Sequence, residues 1–162
     1  KVEGKSIADV LALTVEEAIT LFEKEPTIAS RLKALQSTGL YYMTLGQSLD
    51  TLSGGEMQRV KLSRYLTEKM SNHVFIFDEP TTGLHEDDIP ILQSRFEQLI
   101  KDGNTVILIE HNLTMMTQAD WLIDVGPGAG TQGGHILYSG PPHDLFHIQN
   151  SVTAKHLARY IE

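Results

Sequence analysis

The sequence predicts an α/β fold in which a parallel sheet with flanking helices is preceded by a helical segment. Three observations predict it. Val74-Phe75-Ile76-Phe77 and Thr105 to Ile109 are continuous apolar runs, the pattern of strands covered on both faces in a parallel sheet. Leu92, Phe96, Leu99 and Ile100 recur between them at helical period, so strand, helix and strand follow one another over about 35 residues as a βαβ unit. Residues 1–50, by contrast, carry helical periodicity.

Thr14 and Glu17 have capping-box spacing, and Val15, Ala18, Ile19 and Phe22 follow on one helical face. Pro26 breaks this helix, and Thr27 is expected to cap a second one that runs through Leu32 and Leu35 to a stop at Gly39. Tyr41 to Asp50 reads as a loop. Leu52-Ser53-Gly54-Gly55-Glu56 opens a helix with Leu62, Tyr65, Leu66 and Met70 on one face. The first apolar run then ends in Asp78-Glu79-Pro80. Glu86, Asp87 and Asp88 load the start of the next helix with negative charge, favourable against its dipole, and Gly103 ends it. Trp121 to Val125 and His135 to Ser139 are further strands around a Gly-rich turn, and Val152 to Ile161 is a closing helix. Two segments are expected, a helical one over 1–50 and an α/β one over 51–162.

The chain has 162 residues, enough for one domain or one domain with a small appendage. Hydrophobic residues at 41% and charged residues at 21% supply a core and exclude the disordered and low-complexity classes. Cysteine is absent, which excludes disulfides, cysteine–zinc sites and thiol nucleophiles within these residues and fits a reducing cytoplasm. The net charge of −8 makes an isolated domain a poor counterion-release binder of DNA. No apolar run approaches the length of a membrane span, and no secretory leader pattern opens the chain; a cytoplasmic location without membrane contact is expected. The first residue is Lys1, not Met, so a processed or excised N-terminus stays open.

The chemistry concentrates at three places. Val74 to Phe77 delivers Asp78 and Glu79 to the C-terminal end of a strand, where open α/β sheets bind ligands. Asp78 suits a hard cation that bridges phosphates, and Glu79 suits the positioning of a water for attack on phosphorus. Taken alone, a strand ending in solvated acids reads about as well. Ser53, Gly54 and Gly55 put a hydroxyl and accessible backbone N–H groups at a helix start, a ready anion site. Ser-Gly-Gly alone is more often a simple helix cap, but here Glu56, Met57, Gln58 and Arg59 follow and the Asp-Glu strand end lies about twenty residues on. His111, just after the second strand, is expected at the same sheet edge as Glu79, where it can hydrogen-bond a γ-phosphate. His135, His143, His147 and His156 lack metal-ligand spacing and read as solvated, His73 as a turn residue, and Trp121 as core or sheet edge.

These motifs in this order resemble the ATP-binding cassette family, which implies a partial P-loop NTPase-type sheet. The resemblance makes Leu52 to Gln58 the signature, with Ser53, Gly54, Gly55, Glu56 and Gln58 toward the nucleotide. It makes Val74 to Asp78 the Walker B strand with Asp78 at the metal, Glu79 the catalytic carboxylate and His111 the switch histidine. Within that family the chain is similar to the UvrA branch. The shared text includes Gly4 to Leu11, Leu45-Gly46-Gln47, Asp78 to His85, Ile109 to Leu113, Asp124 to Pro127 and Gly133-Gly134. Thr81-Thr82-Gly83-Leu84-His85 discriminates best, because transporter cassettes usually carry Ser-Ala-Leu-Asp there.

The UvrA resemblance implies ATP and Mg²⁺, with zinc only upstream. It also implies partners: DNA mainly through other parts, a UvrB-like protein, a second cassette and self-dimerisation. The sequence departs from the pattern in Met57, where Ala is usual, and in having no Gly-x-x-x-x-Gly-Lys-Ser/Thr loop. Gly4-Lys5-Ser6 lacks the earlier glycine and the preceding strand, and Gln47 stands only six residues before Ser53, too close for a Q-loop. A piece of a longer chain, inactive by itself, is the expectation. A UvrA-like paralog tied to drug tolerance, a transporter ATPase subunit and a vestigial scaffold are the alternatives. The Thr81 to His85 text opposes the transporter, and intact Glu79 and His111 oppose the scaffold.

Overall fold

The computed structural model describes residues 1–67, 70–128 and 130–161, without the side chains of Gln132 and Ile161. It divides into two compact units, Lys1–Ile109 and Glu110–Glu162. The expected division at 50/51 separates stretches by the motifs they carry, whereas the helices before residue 50 share a core with the helix after it.

The first unit opens with three helices, α1 (Ile7–Leu11), α2 (Val15–Leu21) and α3 (Pro26–Gln36). The Thr14–Glu17 capping box forms as expected, with the Glu17 carboxylate accepting from the Thr14 N–H at 2.8 Å and the Thr14 hydroxyl accepting from the Glu17 N–H at 3.2 Å. Ser6 and Asp9 build a second such box at α1, which holds the Asp9 carboxyl below its ordinary value through its hydrogen bonds to Ser6. The expected Thr27 cap does not form. Pro26 occupies the first turn of α3, where its missing N–H costs nothing, and Glu25 precedes it without a side-chain cap bond.

The stretch after Gly39 is irregular but anchored. The N–H groups of Val15 and Glu16 donate to the carbonyls of Met43 and Tyr41, and those of Leu45 and Gly46 donate to the carbonyls of Leu13 and Leu11. This fixes the segment along α2 and buries Met43 with Val15, Ala18 and Leu32. Leu52 and Val60 pack on the same cluster, which joins it to α4 (Gly54–Thr67). Met70 lies past the last helical residue of α4.

Strands β1 (Val74–Asp78) and β2 (Thr105–Ile109) pair in parallel, in register from Val74 opposite Thr105 to Asp78 opposite Ile109. Helix α5 (Ile89–Lys101) joins them, preceded by a short 3₁₀ turn that holds Glu86 to Asp88. Leu92, Phe96 and Leu99 are buried as the period predicts, but Ile100 is exposed. Asn104 is buried and ties the residues before β2 to those before β1, accepting from the His73 N–H and donating to the carbonyls of Met70 and Leu99.

The parallel pairing matches the expectation, but coverage on both faces does not. Phe75 and Phe77 are buried, while Val74 and Ile76 are 62% and 66% exposed and Ile107 and Ile109 are 46% and 51% exposed. The reason is that α4 and α5 meet one and the same face. Tyr65 of α4 lies 5.1 Å from Phe75, and Phe96 of α5 lies 5.1 Å from Phe77, ring centroid to centroid. A continuous apolar run reports that both faces avoid water without naming what meets the second.

In the second unit, α6 (Leu113–Thr117) is followed by the antiparallel pair β3 (Leu122–Gly126) and β4 (His135–Gly140), and α7 (Val152–Ile161) closes it. Leu122, Leu145, Ala154 and Leu157 form its core. Buried Asp124 accepts from the hydroxyls of Ser151 at 2.6 Å and Thr153 at 2.7 Å, which fixes β3 to the start of α7. Trp121 is exposed at the sheet edge rather than in the core, its indole N–H donating to Ser139. Among the described residues no metal-ligating cluster of three or more His, Asp or Glu occurs, and no helix is long and apolar enough to cross a membrane.

Candidate active site

The site in the first unit is built where α4 starts and β1 ends. Ser53 precedes α4 and makes a capping box with Glu56: the Glu56 carboxylate accepts from the Ser53 N–H at 2.8 Å, and the Ser53 oxygen accepts from the Glu56 N–H at 3.3 Å. The Ser53 hydroxyl hydrogen and the N–H groups of the first turn thus stand at the positive end of a 14-residue helix. The two glycines serve different ends. A Cβ on Gly54 would meet nothing within 4 Å. A Cβ on Gly55 would lie 3.0 Å from the Thr82 carbonyl oxygen and 3.4 Å from that of Glu79. Gly55 therefore lets the helix press against the turn that follows β1.

Glu56 has a second partner. The Tyr42 hydroxyl donates to Oε1 of Glu56 at 2.5 Å. That bond, followed by those from Ser53, holds the Glu56 carboxyl below its ordinary value. Burial first, then the hydrogen bond to Glu56, pushes the Tyr42 hydroxyl up.

The next turn of α4 grips the chain on both sides of Glu79. Gln58 uses both ends of its amide on Asp78, donating to its carbonyl at 2.7 Å and accepting from its N–H at 2.8 Å. Arg59 is completely buried, and its Nη1 donates to the carbonyls of Pro80 at 2.8 Å and Thr82 at 3.0 Å. Glu79 itself has φ +50°, in the left-handed region that a non-glycine residue enters at roughly 1–3 kcal/mol. Its N–H donates to the Ile109 carbonyl at 2.8 Å, so the β1–β2 ladder continues into the turn. Its carboxylate accepts from the Thr82 hydroxyl at 3.3 Å and lies at the surface, as does that of Asp78.

The structure thus brings together Ser53, Gly54, Gly55, Glu56, Gln58, Asp78 and Glu79 within one unit. His111 belongs to the other unit, two residues past β2, and is exposed. Its N–H and that of Asn112 donate to the Glu110 carboxylate at 3.0 and 3.2 Å, and Asn112 caps α6. Motif reading missed Arg59 and Tyr42. The signal for Arg59 was its place directly after Gln58, one turn into the helix. Tyr42 carried none in a stretch that reads as loop.

An exposed carboxylate at a parallel strand's C-terminal end, with an acidic neighbour in a fixed turn and an anion-ready helix start beside it, is an arrangement able to hold a hard cation and a phosphate. The profile of the family described as "ABC transporter" matches residues 5–82. The chain is 47% identical over 161 residues to UvrABC system protein A of Aquifex aeolicus and 48% identical over 163 residues to that of Rickettsia felis. These alignments cover 99% and 100% of the chain but 17% of each relative, so the chain spans about a sixth of their length. The crystal structure of UvrA2 from Deinococcus radiodurans superposes with TM-score 0.87 at 44% identity, over 98% of this chain and 20% of that one. A bacterial Atm1-family ABC exporter with ATP bound matches at TM-score 0.55 and 22% identity, over 94% of this chain and 27% of that one, a likeness of fold alone. Along nearly all of its length the chain is similar to one part of these UvrA proteins.

Proposed function

We propose that this chain is the distal part of a UvrA-type ATPase, in which ATP binding and hydrolysis gate the recognition of damaged DNA in nucleotide excision repair. The observation that carries the reading is the bracketed Glu79. A surface carboxylate is held at φ +50° by hydrogen bonds to the residues before and after it. A strained backbone fixed from both sides suits a group whose position matters to chemistry.

Residue roles follow. Asp78, exposed and without a hydrogen bond to its carboxylate among the described residues, is the residue that would hold Mg²⁺, which supplies charge neutralisation at the phosphate oxygens when bound. Glu79 orients the attacking water and accepts its proton. His111 is assigned to the γ-phosphate. Ser53, Gly54 and Gly55 present an anion site to the nucleotide of an opposing cassette, with Glu56 fixing the helix start and Gln58 fixing Asp78. The acidic chain leaves DNA contact mainly to other parts of the protein. A UvrB-like protein, a second cassette and self-dimerisation are its proposed partners, zinc belongs upstream, and the cytoplasm is its place.

The test is binding of the full-length protein to a lesion-containing duplex and to its undamaged twin, with ATP, with a non-hydrolysable analogue and without nucleotide. Nucleotide-dependent discrimination between the duplexes is expected, and discrimination indifferent to nucleotide contradicts the reading. A second reading, a UvrA-like paralog, is favoured by the superposition on UvrA2. Discrimination without recruitment of a UvrB-like protein would select it.

A further inference from the structure

Arg59 is the one charged side chain of the first unit that is wholly buried among the described residues. Its fork is only partly satisfied. Nη1 donates to the Pro80 and Thr82 carbonyls, while buried Nε and Nη2 have no hydrogen-bond partner among the described residues. A guanidinium carried into the interior with two of its nitrogens unpaired is destabilising, and an apolar side chain of similar volume would fill the space at less expense. Both of its main-chain bonds go to one place, the turn that begins at Glu79, and the Tyr42 hydroxyl also feels its charge. Pro80, whose carbonyl it holds, is itself fully buried.

The geometry also ties two ends of the site together. Ser53 to Gly55 stand at the first turn of α4, and Arg59 stands one turn further along the same rigid element. Gly55 packs on the same turn beside the Arg59 guanidinium, close to the carbonyls of Glu79 and Thr82. Displacement of the helix start by an anion therefore has a direct mechanical path to the backbone of Glu79. Glu56 feels the Arg59 charge as well, so the helix start and the buried cation are electrostatically joined.

We propose that Arg59 is a positioning residue for Glu79: through the carbonyls of Pro80 and Thr82 it holds the turn that aims the carboxylate, and it transmits the position of the α4 N-terminus to that turn. The proposal rests on the reading of Glu79 as the hydrolytic carboxylate. Misplacement of a reacting group by about 1 Å lowers rate by about 10²-fold while leaving binding contacts intact.

The experiment compares Arg59→Met, Arg59→Lys, Glu79→Gln and the Arg59→Met/Glu79→Gln double variant in the full-length protein, reading kcat, KM for ATP and nucleotide affinity. Arg59→Met is expected to lower kcat by about 10²-fold with KM and affinity close to wild type. Arg59→Lys, which keeps the charge and can reach one carbonyl, recovers part of the loss. The double variant turns over as slowly as Glu79→Gln alone, because Arg59 acts through that carboxylate. Wild-type kcat in Arg59→Met beside an inactive Glu79→Gln overturns this proposal and spares the reading of Glu79. So does a double variant whose losses multiply. Wild-type turnover in Glu79→Gln overturns both. Should Arg59→Met fail to fold, Arg59→Lys decides, since it must lower kcat at unchanged KM, and a wild-type kcat there overturns the proposal.

Discussion

Gln58 and Asp78 meet as a side-chain amide on a main-chain amide, donor to acceptor at 2.7 Å and acceptor to donor at 2.8 Å. Gln58 in effect supplies one further rung of ladder to the last residue of β1. The strand end that carries Asp78 is held from α4 on one side and from β2 on the other. Gln58→Leu removes both bonds and leaves the Asp78 N–H and carbonyl to find water at the surface. A loss of about 1–2 kcal/mol of stability is expected, measured by denaturant unfolding, together with weaker Mg²⁺-dependent nucleotide binding in the full-length protein. Unchanged stability would show that water replaces the amide without penalty.

The two signature glycines should separate in mutagenesis. Gly54→Ala meets open space, so the fold tolerates it, and any defect appears in nucleotide-dependent closure. Gly55→Ala sets a methyl 3.0 Å from the Thr82 carbonyl oxygen. That oxygen is backbone and is also held by Arg59, so it yields only by shifting the turn. Gly55→Ala is expected to lower stability by about 1–3 kcal/mol, read from thermal unfolding. Equal stability of the two alanine variants would contradict the packing account.

The Tyr42–Glu56 hydrogen bond gives the first unit an acid-sensitive contact. The folded-state pKa of Glu56 is lowered, chiefly by Tyr42 and then by Ser53, so its contribution is present above the unfolded value and is lost as pH falls below the ordinary 4.5. Tyr42 shifts upward, so its contribution is present below the ordinary 10.0 and lost as pH rises beyond it. Tyr42→Phe should therefore lose less stability than the parent on going from neutral pH into the acid range. Denaturant unfolding of both proteins at pH 6 and pH 4 checks this, and parallel pH profiles would remove Tyr42 from the account.

Expressed as these 162 residues alone, the chain is expected to fold and yet neither bind ATP tightly nor hydrolyse it. Phosphoryl transfer is largely positioning and electrostatic stabilisation, and the sequence contains no phosphate loop or its lysine. The net charge of −8 opposes a polyanionic ligand further. Isothermal titration with Mg-ATP beside a phosphate-release assay checks it. Micromolar affinity or measurable turnover without added partner would contradict it.

Much of this was legible in the residues. The parallel pairing of Val74–Asp78 with Thr105–Ile109, the Thr14 capping box and the closing helix at Val152 all follow from period and cap chemistry, whereas the short helices α1 and α6 were not read. What escaped did so for physical reasons. Apolar Val74 and Ile76 look the same in sequence whether a second layer meets them or not. An arginine is ordinarily a surface residue, so nothing in the composition of α4 marks Arg59 as its largest fully buried side chain. Pro26 and Thr27 compete for one helix start, and the residue with a preset φ takes the first turn. The left-handed backbone of Glu79 is likewise invisible in a side chain that has no preference for it.

The central claim is that Glu79, fixed in its turn by Gln58 and Arg59, drives hydrolysis without contributing to ATP affinity. The most direct measurement is Glu79→Gln in the full-length protein, with phosphate release and equilibrium ATP binding read on the same preparation. The account predicts release lowered by about 10²–10⁴-fold at wild-type affinity. Release at the wild-type rate would contradict it.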